Sequence, residues 1–226
     1  AVGGASAAYV FSFAPNGKAE PVDGGMRLSG KWGFLSGLPW ARWAAVGAIA
    51  PAAPGAAPEY LMFFVPQSDY TVVDDWHTVG LRGSASASVQ VDNIFVPTHR
   101  VFRMGHAMAT GEIPGHAVNP GPLYRVSLVG GLGLALVPPS LGGAQALLRR
   151  FQERAAARVP LFSAQRQAEL VLSQSLLAET AVELDMAEGL MYRYADEVTA
   201  RGASGEAFDT TDRTRLYAWR AVIARR

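Results

Sequence analysis

Leu170, Leu177, Leu184, Met191 and Val198 recur at strict seven-residue spacing, and this stripe constrains the fold more than any other feature of the chain. A repeat of that length fits a helix of about eight turns, and its apolar seam has to be covered by partner helices. Residues 202–205, with a glycine at each end, are expected to close it. Asp209-Thr210-Thr211-Asp212 then offers N-cap candidates for a last helix carrying Leu216, Trp219 and Ile223. Upstream, Leu141, Ala144, Leu148, Phe151 and Ala155 share one helical face behind an expected kink at Pro138-Pro139. The apolar run 126–139 reads as a buried helix, short of the ~20 residues of a bilayer span. An antiparallel helical bundle is expected here.

Before Pro97 the period is different. From Tyr9 to about Val96, short apolar or alternating runs are separated by Gly, Pro and Asp. Asp23-Gly24-Gly25 carries the Asp-Gly pair that supplies the positive φ angles of a tight hairpin. Residues 43–49 and 60–65 read as strands joined by the Pro/Ala/Gly loop 51–58, the second so continuously apolar that both faces should be buried. Residues 88–96 alternate and stop at Pro97, a strand-margin residue. The expected fold class is α+β: an antiparallel β-barrel or sandwich domain (1–103), a linker or lid (104–122) and a helical bundle (123–226).

Composition removes several classes of function. The 20 basic and 19 acidic residues leave a net charge of +1, so no strong field would draw nucleic acid or an anionic membrane. No cysteine is present, which removes disulfides and thiolate chemistry, suits a reducing compartment and makes the cytoplasm the expected location. No GxxxxGK, GxSxG or HExxH pattern occurs, nor a GxGxxG opening a helix after a strand. The four histidines have no spacing typical of a helical metal site.

Two stretches concentrate chemistry: GKWGFLSGLPWARW at 30–43 and DDWHTVGLRGSAS at 74–86. Taken singly, the first also reads as a strand with core aromatics and the second as a capped polar loop. Together, the succession GGMRLSGKWGFLSG, a strand ending FFVP, DDWHTVGLRGSAS and VQVDNIFVP is similar to the middle domain of the acyl-CoA dehydrogenase superfamily, over about residues 14–100. More narrowly, FxSGxxxAxW and DxWHxxGLRGS resemble the class D flavin-dependent monooxygenases, the oxygenase components of two-component aromatic hydroxylases.

The resemblance implies reduced FMN or FAD supplied by a flavin reductase, and hydroxylation of a small phenolic or heteroaromatic substrate through a C4a-hydroperoxyflavin. It places Ser36 opposite flavin N5, Phe34 where dehydrogenases carry a Trp bordering the ring, and Gly37 beside them. Trp40 and Trp76 would complete a dry aromatic wall. Arg82, Ser84 and Ser86 would approach flavin or substrate, although Arg82 could equally pair with Asp74 or Asp75. Ala85 stands where the oxygenases commonly show glycine. His77 is the candidate to take the proton of a phenol, whose ordinary pKa is ~10; it could equally be a loop histidine bonded to backbone.

Arg158 in ARVPLFSAQ loosely echoes the dehydrogenases' interfacial flavin-binding Arg, and also reads as a solvated helix-end residue. The resemblance further implies a homotetramer. The chain begins AVGGASAAYVF and stops at Ala224-Arg225-Arg226 inside a helical pattern, so an N-terminal helical domain and the end of the C-terminal domain are expected to lie beyond it. The alternative activity is that of an acyl-CoA dehydrogenase, whose carboxylate base no residue here matches. A non-catalytic scaffold is the third reading.

Overall fold

The computed structural model describes residues 8–51, 57–126 and 128–225, and the chain divides at Ala109/Thr110 into a sheet unit and a helical unit. The sheet grows from the hairpin that Asp23-Gly24 turns. Gly24 has φ +74°, and Val22 at the end of β1 (Tyr9–Val22) pairs with Gly25 at the start of β2 (Gly25–Leu35). Among the described residues five more strands follow: β3 (Trp43–Ala50), β4 (Glu59–Pro66), β5 (Thr71–Val73), β6 (Ala87–Pro97) and β7 (Val101–Phe102). They form one seven-stranded sheet in the order β5-β6-β2-β1-β3-β4-β7.

One pairing departs from the all-antiparallel expectation: β1 and β3 are parallel, and the sheet is mixed. The hairpin returns β2 to the end of the sheet where β1 began. A strand that then takes the free edge of β1 must run the same way as β1. The loop 51–58 proposed between β3 and β4 lies largely outside the described residues. In β4, Leu61, Met62 and Phe63 are consecutively buried, as a continuous apolar run requires.

At the centre of the sheet lies Trp32, fully buried, with its indole N–H donating to the Gly47 carbonyl at 2.7 Å. Gly17 and Gly30 make room for it: a Cβ on Gly30 would lie 2.7 Å from the indole, and one on Gly17 would also collide with it.

The helical unit contains α2 (Leu128–Leu136), α3 (Pro138–Ala157), α4 (Val171–Ser204) and α5 (Thr210–Arg225), preceded by the short α1 (Met104–Thr110) in the segment read as linker. The expected break falls at Val137, before the proline pair. The heptad stripe is only partly the packed seam. Leu184 and Val198 are buried, but Leu170 precedes α4 as its N-cap. Ala187 and Tyr194 fill the intervening turns of the seam.

Of the two glycines expected to end α4, only Gly205 does so, at φ +75°. Gly202 lies inside the helix, and its lack of a side chain is needed there, since a Cβ would sit 2.8 Å from the Pro122 carbonyl. Asp209 caps α5, its Oδ1 accepting from the Asp212 N–H at 2.7 Å. Arg158 is the exposed C-cap of α3 and donates to Gln167 at 3.4 Å. Residues Gly130–Ala157 are long and apolar enough to cross a bilayer by length and composition. Val137 and Leu141 from that stretch pack with Leu184, Ala187 and Ile223 in one cluster.

Candidate functional site

The first part of the site is made by an irregularity at the end of β2. Trp32 pairs with Val89 and Leu35 with Ala87, so three steps on β2 oppose two on β6, a β-bulge. Simple alternation would send Phe34 to the same side as Trp32 and Leu35 to the other. Phe34 instead adopts φ +63°. Leu35 thereby turns into the core, and Phe34 is thrown outward, 79% exposed. Ser36 follows, then Gly37 at φ +79° opens a 3-10 turn, Leu38–Trp40. Leu38 plugs the core from that turn while Trp40 stays 69% exposed.

The second part is the segment between β5 and β6. Its start is fastened by Asp75, whose carboxylate accepts from Ser88 N at 3.0 Å and Ser88 Oγ at 2.7 Å, and meets Lys31 Nζ at 3.1 Å. These bonds, with the Ser88 hydroxyl first and Lys31 after it, hold the Asp75 carboxyl below the usual carboxylate range. Trp76 donates its indole N–H to the Leu81 carbonyl at 3.1 Å, closing a small loop. The 3-10 turn Arg82–Ser84 is bracketed by Leu81 at φ +56° and Ala85 at φ +46°. Neither residue is glycine, and the left-handed backbone at Ala85 explains why glycine suits that position.

The two parts are clasped together. Gly37 N–H donates to the Ser84 carbonyl at 2.9 Å. Ser36 Oγ and Ser86 Oγ are 2.9 Å apart, and Ser84 Oγ lies 2.8 Å from Ser86 Oγ. Phe34 and Trp76 meet edge to face at 5.6 Å, an attractive ring geometry. Of the residues singled out by sequence, Phe34 thus meets Trp76, and Ser36, Gly37, Ser84 and Ser86 are joined by hydrogen bonds. Trp40 shares the turn but makes no ring contact among the described residues.

His77 is exposed and makes no hydrogen bond among the described residues, so the backbone-bonded alternative does not form. Arg82 has no ion pair there either, and the carboxylate of Asp75 is occupied by Lys31 and Ser88. That anchor was not legible in sequence, because Lys31, Asp75 and Ser88 come from three separate segments and form no motif.

Among the described residues, three of the five non-glycine residues with positive φ, Phe34, Leu81 and Ala85, belong to this one site. Such conformations cost of order 1–3 kcal/mol each and cluster where function needs a fixed geometry. The result is a row of hydroxyls that can donate or accept, flanked by uncovered aromatic faces. This combination suits a planar heteroaromatic ring with a polar edge.

Replacing Ala85 with glycine should relieve the left-handed strain, about 1–2 kcal/mol, against about 0.5–1 kcal/mol of added chain entropy. Urea denaturation should show a net gain of up to ~1.5 kcal/mol; a loss would mean that the turn is not left-handed. For Asp75 the lowered carboxyl means stability that is present above the ordinary carboxylate pKa of ~3.9 and lost as pH falls below it. Acid titration followed by tryptophan fluorescence should show stability falling below about pH 4, and falling less steeply in Asp75→Asn; an unchanged slope would free Asp75 of this role.

Residues 134–226 match the family model of the acyl-CoA dehydrogenase C-terminal domain. The chain is 34% identical over 186 residues to the FADH(2)-dependent resorcinol hydroxylase, oxygenase component, of Rhizobium sp. (strain MTP-10005), covering 80% of this chain and 46% of that protein. XiaF from Streptomyces sp., solved in complex with FADH2 and glycerol, aligns with a TM-score of 0.83 at 29% identity, covering 96% of this chain and 55% of XiaF. An acyl-CoA dehydrogenase from Geobacillus kaustophilus aligns with a TM-score of 0.71 at 16% identity, over 96% of this chain and 55% of that one, and shares the fold alone. The chain spans about half the length of the relatives it matches. By its sheet, its helical unit and these relatives, the chain belongs to the acyl-CoA dehydrogenase superfamily, and within it is similar to flavin-dependent oxygenase components.

Proposed function

We propose that this chain supplies one wall of the flavin site of an oxygenase component that hydroxylates a small aromatic substrate, using reduced FMN or FAD delivered by a flavin reductase. The observation that carries the reading is the Ser36–Ser86–Ser84 clasp set between exposed aromatic faces. These residues fit a flavin. Phe34, Trp40 and Trp76 offer apolar surface to ring faces, and Ser36 offers a hydroxyl to a ring edge. Reduced flavin, when bound, supplies the electrons that activate O2.

The chain's own part is positioning, proton control and exclusion of water. A hydroxyl can accept from the N5–H of the reduced ring and donate to the bare N5 of the oxidised one, so Ser36 serves both states. Phe34 and Trp76, set against one another, would shield that edge from water once a ring covers them. His77, exposed and without a hydrogen bond among the described residues, is placed to take a phenol's proton as the ring is attacked. Arg82, without an ion pair among the described residues, is available to an anionic group of cofactor or substrate.

The proposed setting is a cytoplasmic homotetramer. Support for the location comes from the absence of cysteine, and support for association from Leu172, Leu176, Val182 and Met186, exposed apolar residues of α4. Association with nucleic acid or membrane is not part of the proposal. The apolar stretch Gly130–Ala157 is broken by Pro138-Pro139 and carries Arg149, Arg150, Glu153 and Arg154 in its second half.

The test uses the whole protein with chemically reduced FMN or FAD, O2 and a panel of phenols. A hydroxylated phenol should form only when all three are present. Ser36→Ala should shift turnover from product toward hydrogen peroxide by roughly 2- to 10-fold, the kinetic equivalent of one neutral hydrogen bond of about 0.5–1.5 kcal/mol. Anaerobic bleaching of bound FAD by an acyl-CoA would show a dehydrogenase instead, and absence of any flavin affinity would show a scaffold.

A further inference from the structure

Ser86 is 5% exposed, and its hydroxyl lies within bonding distance of two others, Ser36 Oγ at 2.9 Å and Ser84 Oγ at 2.8 Å. The left-handed turn at Ala85 allows serines two residues apart to meet in this way. A serine hydroxyl has one proton to give and room to accept two. Ser86 therefore donates to one neighbour and can accept from the other.

The row of bonds consequently has two directions. In the first, Ser84 donates to Ser86 and Ser86 to Ser36, which leaves Ser36 its own proton to offer outward. In the second, Ser36 donates to Ser86 and Ser86 to Ser84, and Ser36 presents only lone pairs outward. Switching between them needs three hydroxyl rotations and no movement of backbone.

We propose that Ser86 is a positioning residue whose reversible hydrogen bond switches Ser36 between donor and acceptor, matching it to the oxidised and the reduced flavin in turn. The inference rests on the reading above that Ser36 meets flavin N5. The two directions are not equally sensitive to Ser86. When Ser36 accepts from a reduced ring, its proton must go to Ser86. When it donates to an oxidised ring, losing Ser86 leaves only a lone pair unused. A stranded donor in a covered site costs more than an unused acceptor. Ser86 should therefore favour the reduced cofactor.

The test measures the midpoint potential of flavin bound to the whole protein, with FMN and FAD in parallel, together with the Kd of the oxidised form. Ser86→Ala should weaken reduced flavin about tenfold more than oxidised flavin, lowering the two-electron potential by about 30 mV. Ser86→Thr, which keeps the hydroxyl, should return it to the wild-type value. Ser36→Ala should lower the potential as well, and adding Ser86→Ala to that variant should change nothing further.

A shift with Ser36→Ala but none with Ser86→Ala overturns the relay and leaves the Ser36 reading intact. An equal Ser86→Ala shift in both backgrounds also overturns it, because Ser86 would then act independently of Ser36. No shift with Ser36→Ala removes the reading on which the relay stands. If Ser86→Ala no longer holds flavin, Ser84→Ala carries the test: a shift of the same sign, about threefold or 15 mV, is expected, and none overturns the proposal.

Discussion

The buried indole of Trp32 is the constraint on which the sheet and its site depend. Three strands adapt to it: β1 with Gly17, β2 with Gly30, and β3 with the Gly47 carbonyl that takes its N–H at 2.7 Å. Burying an indole of this size contributes several kcal/mol, and truncating such a residue to alanine costs about 3–5 kcal/mol. Because the ring occupies the middle of the sheet, β2 has no freedom of register there. The extra residue of β2 must be absorbed beyond it. That happens at Phe34, and the bulge is what turns an ordinary strand end into a displayed aromatic followed by a displayed hydroxyl.

The second wall is held with the same economy of means. Asp75 fastens the segment to β2 through Lys31 and to β6 through Ser88. From this fixed start, Trp76 reaches Phe34, and the Arg82–Ser84 turn reaches Gly37. The polar groups inside the clasp satisfy one another, and the apolar faces outside it remain uncovered. That division distinguishes a site from a patch of core: a core would bury Phe34 and Trp40, while a mere surface loop would not bury Ser86 at 5% exposure.

Local chemistry was the part most legible in the sequence. The Asp23-Gly24 turn, the cap at Asp209 and the break before Pro138-Pro139 each depend on a few adjacent residues and lie where those residues indicate. Long-range consequences were not legible. Nothing near Trp43 marks β3 as parallel to β1, since its direction follows from where β2 ends. Aromatic residues two positions apart, Trp32 and Phe34, read alike in a strand pattern, yet one is core and the other is surface because a bulge intervenes. Gly202 and Gly205 likewise read as one stop signal, although the first serves close packing and the second a left-handed cap. The site residues came from resemblance, whereas the connection of Ser36 to Ser86, fifty positions apart, comes from the fold.

The most direct test of the central claim is a high-resolution structure of the whole protein with reduced flavin bound. The ring should lie against Phe34 and Trp76, with Ser36 Oγ about 2.7–3.2 Å from a ring nitrogen and its bond to Ser86 retained. Flavin bound elsewhere, or Ser36 facing only solvent and Ser86, would contradict it.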